Sequence, residues 1–381
     1  MDFETLQLRK IKMYDFEEKL AKLVVHYSLE IKKGDLVSIE GSEVANPLKL
    51  ACYKECIKVG AHPILSAGLK EAGEVFYKYA NDEQLMFISP MMKTIIGTYQ
   101  KRIQISSDYN RKKMALVPPE KLNMMHKNPE FPEFMKKYQE RLANKELMWV
   151  ICPYPCSAMA QEANMGDMDY KEFVYKALKL DEDDPASYWK SVREEQDKKV
   201  EILNKIEKIH VIGEDTDLHL SVKGRPWENC AGEQNLPDGE IFTSPLEDSV
   251  NGHIRFTYPG IYQGKEVEDI YLEFKDGKVV KATASKGQEL LDEVLKVPNA
   301  DILGEFAIGT NFGVTKFTKN MLFDEKIGGT MHMALGMGFP ETGSKNQQCA
   351  IHWDILKDMT KPGSKIIADG KPIYEEGKWL I

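Results

Sequence analysis

Apolar residues first recur at helical spacing over residues 14–28, where Phe16, Leu20, Leu23, Val24 and Tyr27 fall on one stripe, so this stretch predicts an amphipathic helix broken by Gly34. Residues 35–41 read as a strand and turn. Asn46-Pro47 opens a helix to about Val59, and residues 60–65 are the next strand, which makes a β-α-β unit. The turn at Gly41-Ser42 lacks the G-x-G-x-x-G pattern, so the unit predicts an open α/β layer without a dinucleotide site. The alternation continues with a helix over 82–99, a strand at 102–106, a polar helix over 119–145 and an apolar strand at 147–152.

After the acidic turn at 181–185, residues 186–209 read as one long charged helix carrying Trp189, Val192, Val200, Ile202, Leu203 and Ile206. From His210 the period changes to two: Leu218, Leu220 and Val222 alternate with polar residues, and Asp276-Gly277 separates two strand-like runs, a strong hairpin signal. The predicted fold is an α/β N-terminal domain (1–180), a helical connection (181–209) and an α+β, β-rich C-terminal domain (210–381) that holds the chemistry.

Composition narrows the function. The 381 residues suffice for two or three domains, and 51 basic against 60 acidic residues give a net charge of −9, which argues against nucleic acid or an anionic membrane as the main partner. Residues 1–5 lack the layout of a signal peptide, and no run reaches the length of a membrane span, so the expectation is a cytoplasmic protein. The six cysteines agree with a reducing compartment; Cys152 and Cys156 are spaced C-x-x-x-C, not the C-x-x-C of redox motifs.

Candidate chemistry is concentrated late in the chain. Between Gly304 and Asp354 lie Glu305, Asp324, Glu325, His332, His352 and Asp354, crowded by glycines, in a chain with eight histidines. His352-Trp353-Asp354 sits between apolar pairs and reads as a buried strand, so His352 and Asp354 point to one face and Trp353 to the other. Imidazole mixed with several carboxylates is a ligand set for Zn, Co or Mn. His62 and His126 read as surface or structural, and His253 as structural.

The segments 235–245, 304–311, 323–336 and 352–354 together resemble the thermophilic aminopeptidases of peptidase family M29, and the resemblance extends to Gly34-Asp35-Leu36-Val37-Ser38-Ile39 near the start. It implies a metalloaminopeptidase, commonly a homodimer, with two divalent metal ions held by Glu240, Glu305, Glu325, His332, His352 and Asp354, acting on peptides with a free N-terminus. Glu305 would bridge the metals or handle the proton of the attacking water. One departure stands out: the resemblance implies a tyrosine seven residues after His332 as a donor to the tetrahedral intermediate, and this chain has Phe339, with Thr330 and Thr342 as hydroxyls that could stand in. Phe339 favours a second reading, a non-catalytic peptide-binding or scaffold protein on a peptidase fold. A third, another di-metal hydrolase such as one acting on phosphoesters, has only Lys326 and Lys345 near the motifs to bind phosphate.

Overall fold

The computed structural model describes residues 15–381; the readings of residues 1–5 and Tyr14 lie outside the described residues. The chain divides into two compact units, one of residues 15–186 with Gly232–Leu236, the other of Ser187–Ala231 with Pro237–Ile381. Most of the helix Pro185–Leu203, expected within a 181–209 connection, lies in the second unit. No helix of the described residues is long and apolar enough to cross a membrane.

In the first unit, β1 (Leu36–Ser42), β2 (His62–Gly68), β3 (Lys101–Ser106) and β4 (Met148–Pro153) form a parallel sheet in the order β2-β1-β3-β4. Val37, Ile39 and Ile103 from its middle strands, and Val150 and Cys152 from β4, are fully buried, as a sheet covered by helices requires. The predicted β-α-β unit is present: the helix Asn46–Val59 joins β1 to β2 and stops at Gly60, whose left-handed φ of 82° lets its N–H return to the Cys56 and Ile57 carbonyls. The first predicted helix is Phe16–Leu23 continued by a π-helical turn, Val24–Ser28.

Three predicted helices are shorter than their polar and apolar pattern suggested. The stretch 82–99 is split into Asp82–Met86 and Pro90–Thr98, because Pro90 has no N–H for the preceding turn and Ser89 caps a new start by accepting from Met92 N. The stretch 119–145 is Pro119–Leu122, a 3₁₀ turn Met124–Lys127 and Phe131–Ala143, interrupted where Pro129 and Pro132 fall. The charged helix ends at Leu203, and Lys208–Gly213, rich in β-branched residues, is already a strand.

The second unit holds two antiparallel sheets. One contains β5 (Lys208–Gly213), β6 (Thr216–Ser221), β9 (Asn251–Arg255), β12 (Tyr271–Lys275), β13 (Lys278–Thr283), β17 (Lys365–Ala368), β18 (Lys371–Glu375) and β19 (Lys378–Trp379), in the order β13-β12-β9-β6-β5-β17-β18-β19. Its β12–β13 hairpin turns at Asp276-Gly277, both at positive φ (49° and 83°), as the sequence predicts. The other contains β7 (Glu228–Cys230), β8 (Glu240–Thr243), β14 (Leu303–Gly309), β15 (Thr330–Gly336) and β16 (His352–Asp358), in the order β16-β15-β14-β8-β7. A small hairpin of β10 (Gly260–Tyr262) and β11 (Lys265–Val267) completes the strands of the described residues.

The five-stranded sheet has two unlike faces. Ile241, Phe306, Ile308, Met331, Met333, Leu335, Trp353 and Ile355 enter the hydrophobic core. The alternate positions carry Glu240, Glu305, His332, His352 and Asp354, interleaved with Ala307, Gly309 and Ala334. Strict alternation from Leu303, which packs in the core opposite Leu335, would send Glu305 into the core as well. A bulge between Leu303 and Glu305 prevents this: Leu303 pairs with Leu335 but Glu305 pairs with Ala334, so the extra residue, Gly304, moves Glu305 to the polar face. A Cβ on Gly304 would lie 2.2 Å from the Met337 carbonyl oxygen and 2.5 Å from that of Gly336, so no other residue fits without moving β15. Gly304→Ala is therefore expected to cost about 3 kcal/mol of stability, read as a lower denaturation midpoint; an unchanged midpoint would show that the bulge tolerates a side chain.

Candidate metal centre

Neighbouring strands carry the six residues expected as ligands to one place, with one exception of origin. Glu240 comes from β8, Glu305 from β14, His332 from β15, and His352 and Asp354 from β16; Glu325 instead follows the short helix Met321–Asp324. The predicted parity of β16 holds, since His352 Nε2 lies 3.4 Å from Asp354 Oδ1 while Trp353 is buried on the far side. His332 Nε2 is 3.4 Å from Glu240 Oε2 and 3.3 Å from Glu305 Oε1, and His352 Nε2 is 3.5 Å from Glu305 Oε2. The two oxygens of Glu305 thus face two different histidines. Three sets of donor atoms, Glu240–Glu305–His332, Glu305–His352–Asp354 and Glu325–His332–Asp354, each lie within 4.8 Å of one another.

Secondary contacts fix these groups. His352 Nδ1 is 2.7 Å from the Met337 carbonyl and donates to it, which turns Nε2 toward Glu305 and Asp354. Gln196, buried on the helix Pro185–Leu203, donates to Asn229 Oδ1 (2.6 Å), the Cys230 carbonyl (3.0 Å) and the Glu240 carbonyl (3.3 Å), and accepts from Thr310 Oγ1. Asn311 joins the two loops that flank the site: its Nδ2 donates to the Asp238 carbonyl, and its N–H donates to the Lys326 carbonyl.

Lys326 is the residue whose role the sequence did not reveal. It is fully buried, with Nζ 2.5 Å from Glu240 Oε1, 2.9 Å from Glu325 Oε1 and 3.7 Å from Asp238 Oδ1. Burial alone would discharge it, but Glu240, Glu325 and Asp238 hold its pKa well above the usual lysine value. A lysine beside an acidic ligand is ordinarily a surface pair, and only the position of β8 brings Glu240 onto it.

The remaining titrations show an excess of negative charge. Burial opposes protonation of His332, yet the hydrogen bond to Glu305 and the charges of Glu240 and Asp354 lift it to about 9; for His352, Asp354 and Glu305 outweigh burial and lift it to about 10. Burial raises Glu325 to about 8 despite Lys326, and it raises Glu305 as well. Asp354 stays well below the carboxylate range, held down against burial by His352, His332 and Lys326. Glu240 Oε2 and Asp354 Oδ1 are buried without a hydrogen bond. Oxygen donors lacking donors of their own, beside imidazoles drawn toward protonation, are what a divalent cation would satisfy, so the residues present fit a metal.

The other positions named from the sequence are not among these donor sets. Asp324 accepts from Thr318 N and Oγ1 (2.7 and 2.9 Å) and organises its own loop; burial raises it to about 7. Among the described residues, no candidate metal cluster includes a residue of the first unit. There His26 bonds Glu55 and His126 stacks on Phe131. Phe339 lies edge-on to the His352 ring, with centroids 5.0 Å apart. Thr330 donates to the Ile327 carbonyl (2.9 Å) and Thr342 to the Phe339 carbonyl (2.8 Å), so both hydroxyls suggested as stand-ins for a tyrosine have their proton engaged elsewhere. Lys326 is bound to carboxylates, which removes it as a phosphate ligand.

Known proteins extend the likeness along the whole chain. Aminopeptidase 2 of Geobacillus stearothermophilus is 24% identical, with 96% of this chain and 97% of that protein covered, and aminopeptidase PepS of Streptococcus thermophilus is 27% identical, with 96% and 98% covered. The solved structure of wild-type AmpT from Thermus thermophilus superposes with a TM-score of 0.83 at 22% identity, covering 97% of this chain and 100% of that one. A 2,5-dihydroxypyridine dioxygenase from Pseudomonas putida KT2440 shares the fold at a TM-score of 0.61 and 14% identity, over 98% and 97%. Since the model of the thermophilic metalloproteases (M29) matches residues 15–379, the chain belongs to that family.

Proposed function

We propose that this protein is a metal-dependent aminopeptidase that releases N-terminal residues from peptides at a centre of two divalent ions, held by Glu240, Glu305, Glu325, His332, His352 and Asp354. The observation that carries the two-ion reading is Glu305, whose oxygens are shared between one set with Glu240 and His332 and another with His352 and Asp354. Each set offers one imidazole and two carboxylates, which suits Zn, Co or Mn. What bound divalent metal supplies at such a centre is Lewis acidity, which lowers the pKa of water toward neutrality and polarises a scissile carbonyl.

The chain's own groups do the rest. Lys326 holds Glu240 and Glu325 in position from behind, so they need not separate under mutual repulsion. With Nδ1–H of His352 on the Met337 carbonyl, the nitrogen that the neutral ring would offer a metal is Nε2, which faces Glu305 and Asp354. Glu305 stands between both sets and is the carboxylate placed to take the proton of the attacking water and return it to the leaving amine. The local excess of carboxylate attracts the α-ammonium of a peptide, which restricts cleavage to the first residue. A cytoplasmic homodimer completes the reading: six unpaired cysteines agree with a reducing compartment, and exposed Leu69, Val75, Phe76, Tyr79, Phe87 and Met91 give the first unit apolar surface for a second copy.

Three outcomes test this. Chelation should abolish hydrolysis of aminoacyl-nitroanilides, and a single metal among Zn, Co and Mn added back should restore it, with metal analysis giving two equivalents per chain; hydrolysis untouched by chelation would end the proposal. Glu305→Gln should lose about 10²- to 10⁴-fold in kcat while keeping the wild-type circular dichroism, and near-normal kcat would remove Glu305 from the mechanism. Phe339→Tyr should raise kcat by up to roughly 10²- to 10³-fold if an oxyanion donor is missing. If wild type and the F339Y variant both bind metal and neither cleaves any peptide, the scaffold reading replaces the enzyme.

A further inference from the structure

Three of the chain's eight histidines gather on the other sheet of the second unit, away from the five-stranded sheet that carries the centre described above. His210 on β5 is the register partner of His219 on β6, and their rings are stacked with centroids 3.8 Å apart. Asp217, two residues before His219 on β6, shares that face. Its Oδ1 is 2.8 Å from His210 Nε2 and 3.3 Å from His219 Nε2, so one carboxylate oxygen receives both imidazoles. His253 on β9 is the register partner of Asp217 and continues the row.

The donor atoms of His210, Asp217 and His219 lie within 4.8 Å of one another. The residues differ in access: side-chain exposure is 27% for His210, 59% for His219 and 62% for Asp217. The hydrogen bond from His210, helped by the charges of His219 and His253, holds Asp217 below its usual range, so its oxygen is ionised at neutral pH. A surface strand pair does not require two stacked imidazoles on one carboxylate; an ordinary exposed ion pair would use a lysine or arginine and contributes little. Two imidazoles and a carboxylate are the donor set of late first-row divalent ions, and their solvent-exposed side leaves coordination positions open to water.

We propose that His210, Asp217 and His219 form a second, surface metal site that takes one zinc-class divalent ion and ties β5 to β6. Because such an ion would bind the folded hairpin and not the unfolded chain, it would also raise the melting temperature. The test is a calorimetric titration of zinc chloride into full-length protein whose buried centre is already loaded. Wild type is expected to take up one further equivalent and to melt higher with added zinc. The double variant His210→Gln, His219→Gln should lose that equivalent and the zinc-dependent shift while melting like wild type without zinc; Asp217→Asn should weaken uptake by about tenfold or more. Untagged wild type should also be retained on a nickel chelate resin that the buried centre cannot reach, and His62→Gln, an exposed histidine in the first unit, should leave retention unchanged. Wild type that takes up no further zinc overturns the proposal whatever the variants do, and so does a double variant that binds the same additional equivalent.

Discussion

Mutual repulsion among buried carboxylates is the constraint around which the second unit is arranged. Buried Asp238, Glu240, Glu305 and Asp354, with the partly buried Glu325, surround a fully buried lysine and two imidazoles, of which His332 is buried and His352 partly so. Two like charges about 4 Å apart repel by roughly 4 kcal/mol at an effective dielectric of about 20, and several such pairs would together rival the net stability of a domain. The protein answers with protons and with Lys326. Histidines rise toward permanent charge, Glu325 and Glu305 rise toward neutrality, and the lysine is locked between Glu240 and Glu325. Each of these shifts would relax if divalent cations took the place of the added protons.

Holding such groups together requires a rigid frame, and the five-stranded sheet supplies it. Its far face is packed with Phe306, Ile308, Met331, Leu335, Trp353 and Ile355, so the strands cannot part to relieve repulsion on the near face. Small residues at Ala307, Gly309 and Ala334 keep the near face open between the candidate donor side chains. The bulge at Gly304 shows how narrowly this is set: if regular pairing ran on from Leu303 with no bulge, the carboxylate that faces both histidines would be in the hydrophobic core.

Much of this was legible in the sequence because it rests on local rules. The parity of His352 and Asp354 needs only a strand, the Asp276-Gly277 hairpin only a turn, and the helix from Asn46 only its opening Asn-Pro and the glycine that stops it. Prolines were the local signal that the pattern of apolar positions obscured: Pro90, Pro129 and Pro132 divide helices whose amphipathic spacing reads as continuous. Lys326 and Gln196 were not legible, since their roles depend on β8 and β7, distant in sequence, arriving beside them. The resemblance to M29 placed Glu240, at the start of β8, and Glu325 in the expected ligand set, where alternation alone had nothing to say about Glu325, which follows a short helix.

Fold likeness by itself would leave the chemistry open, since an aminopeptidase T and a dihydroxypyridine dioxygenase both superpose on this chain over nearly its full length. The donor sets are more selective. A single iron that activates oxygen is commonly held by two histidines and one carboxylate with open positions. The buried centre has the opposite balance, one imidazole with two carboxylates in every set, and a carboxylate common to two sets. Carboxylate-rich sets of that kind suit Lewis-acid chemistry better than the one-electron chemistry of a two-histidine iron site. They also concentrate negative charge where a peptide's ammonium would arrive, which connects the ligand set to exopeptidase rather than endopeptidase cleavage: an internal peptide segment brings no cation to the site, and so gains nothing from the carboxylates that the fold works to hold together.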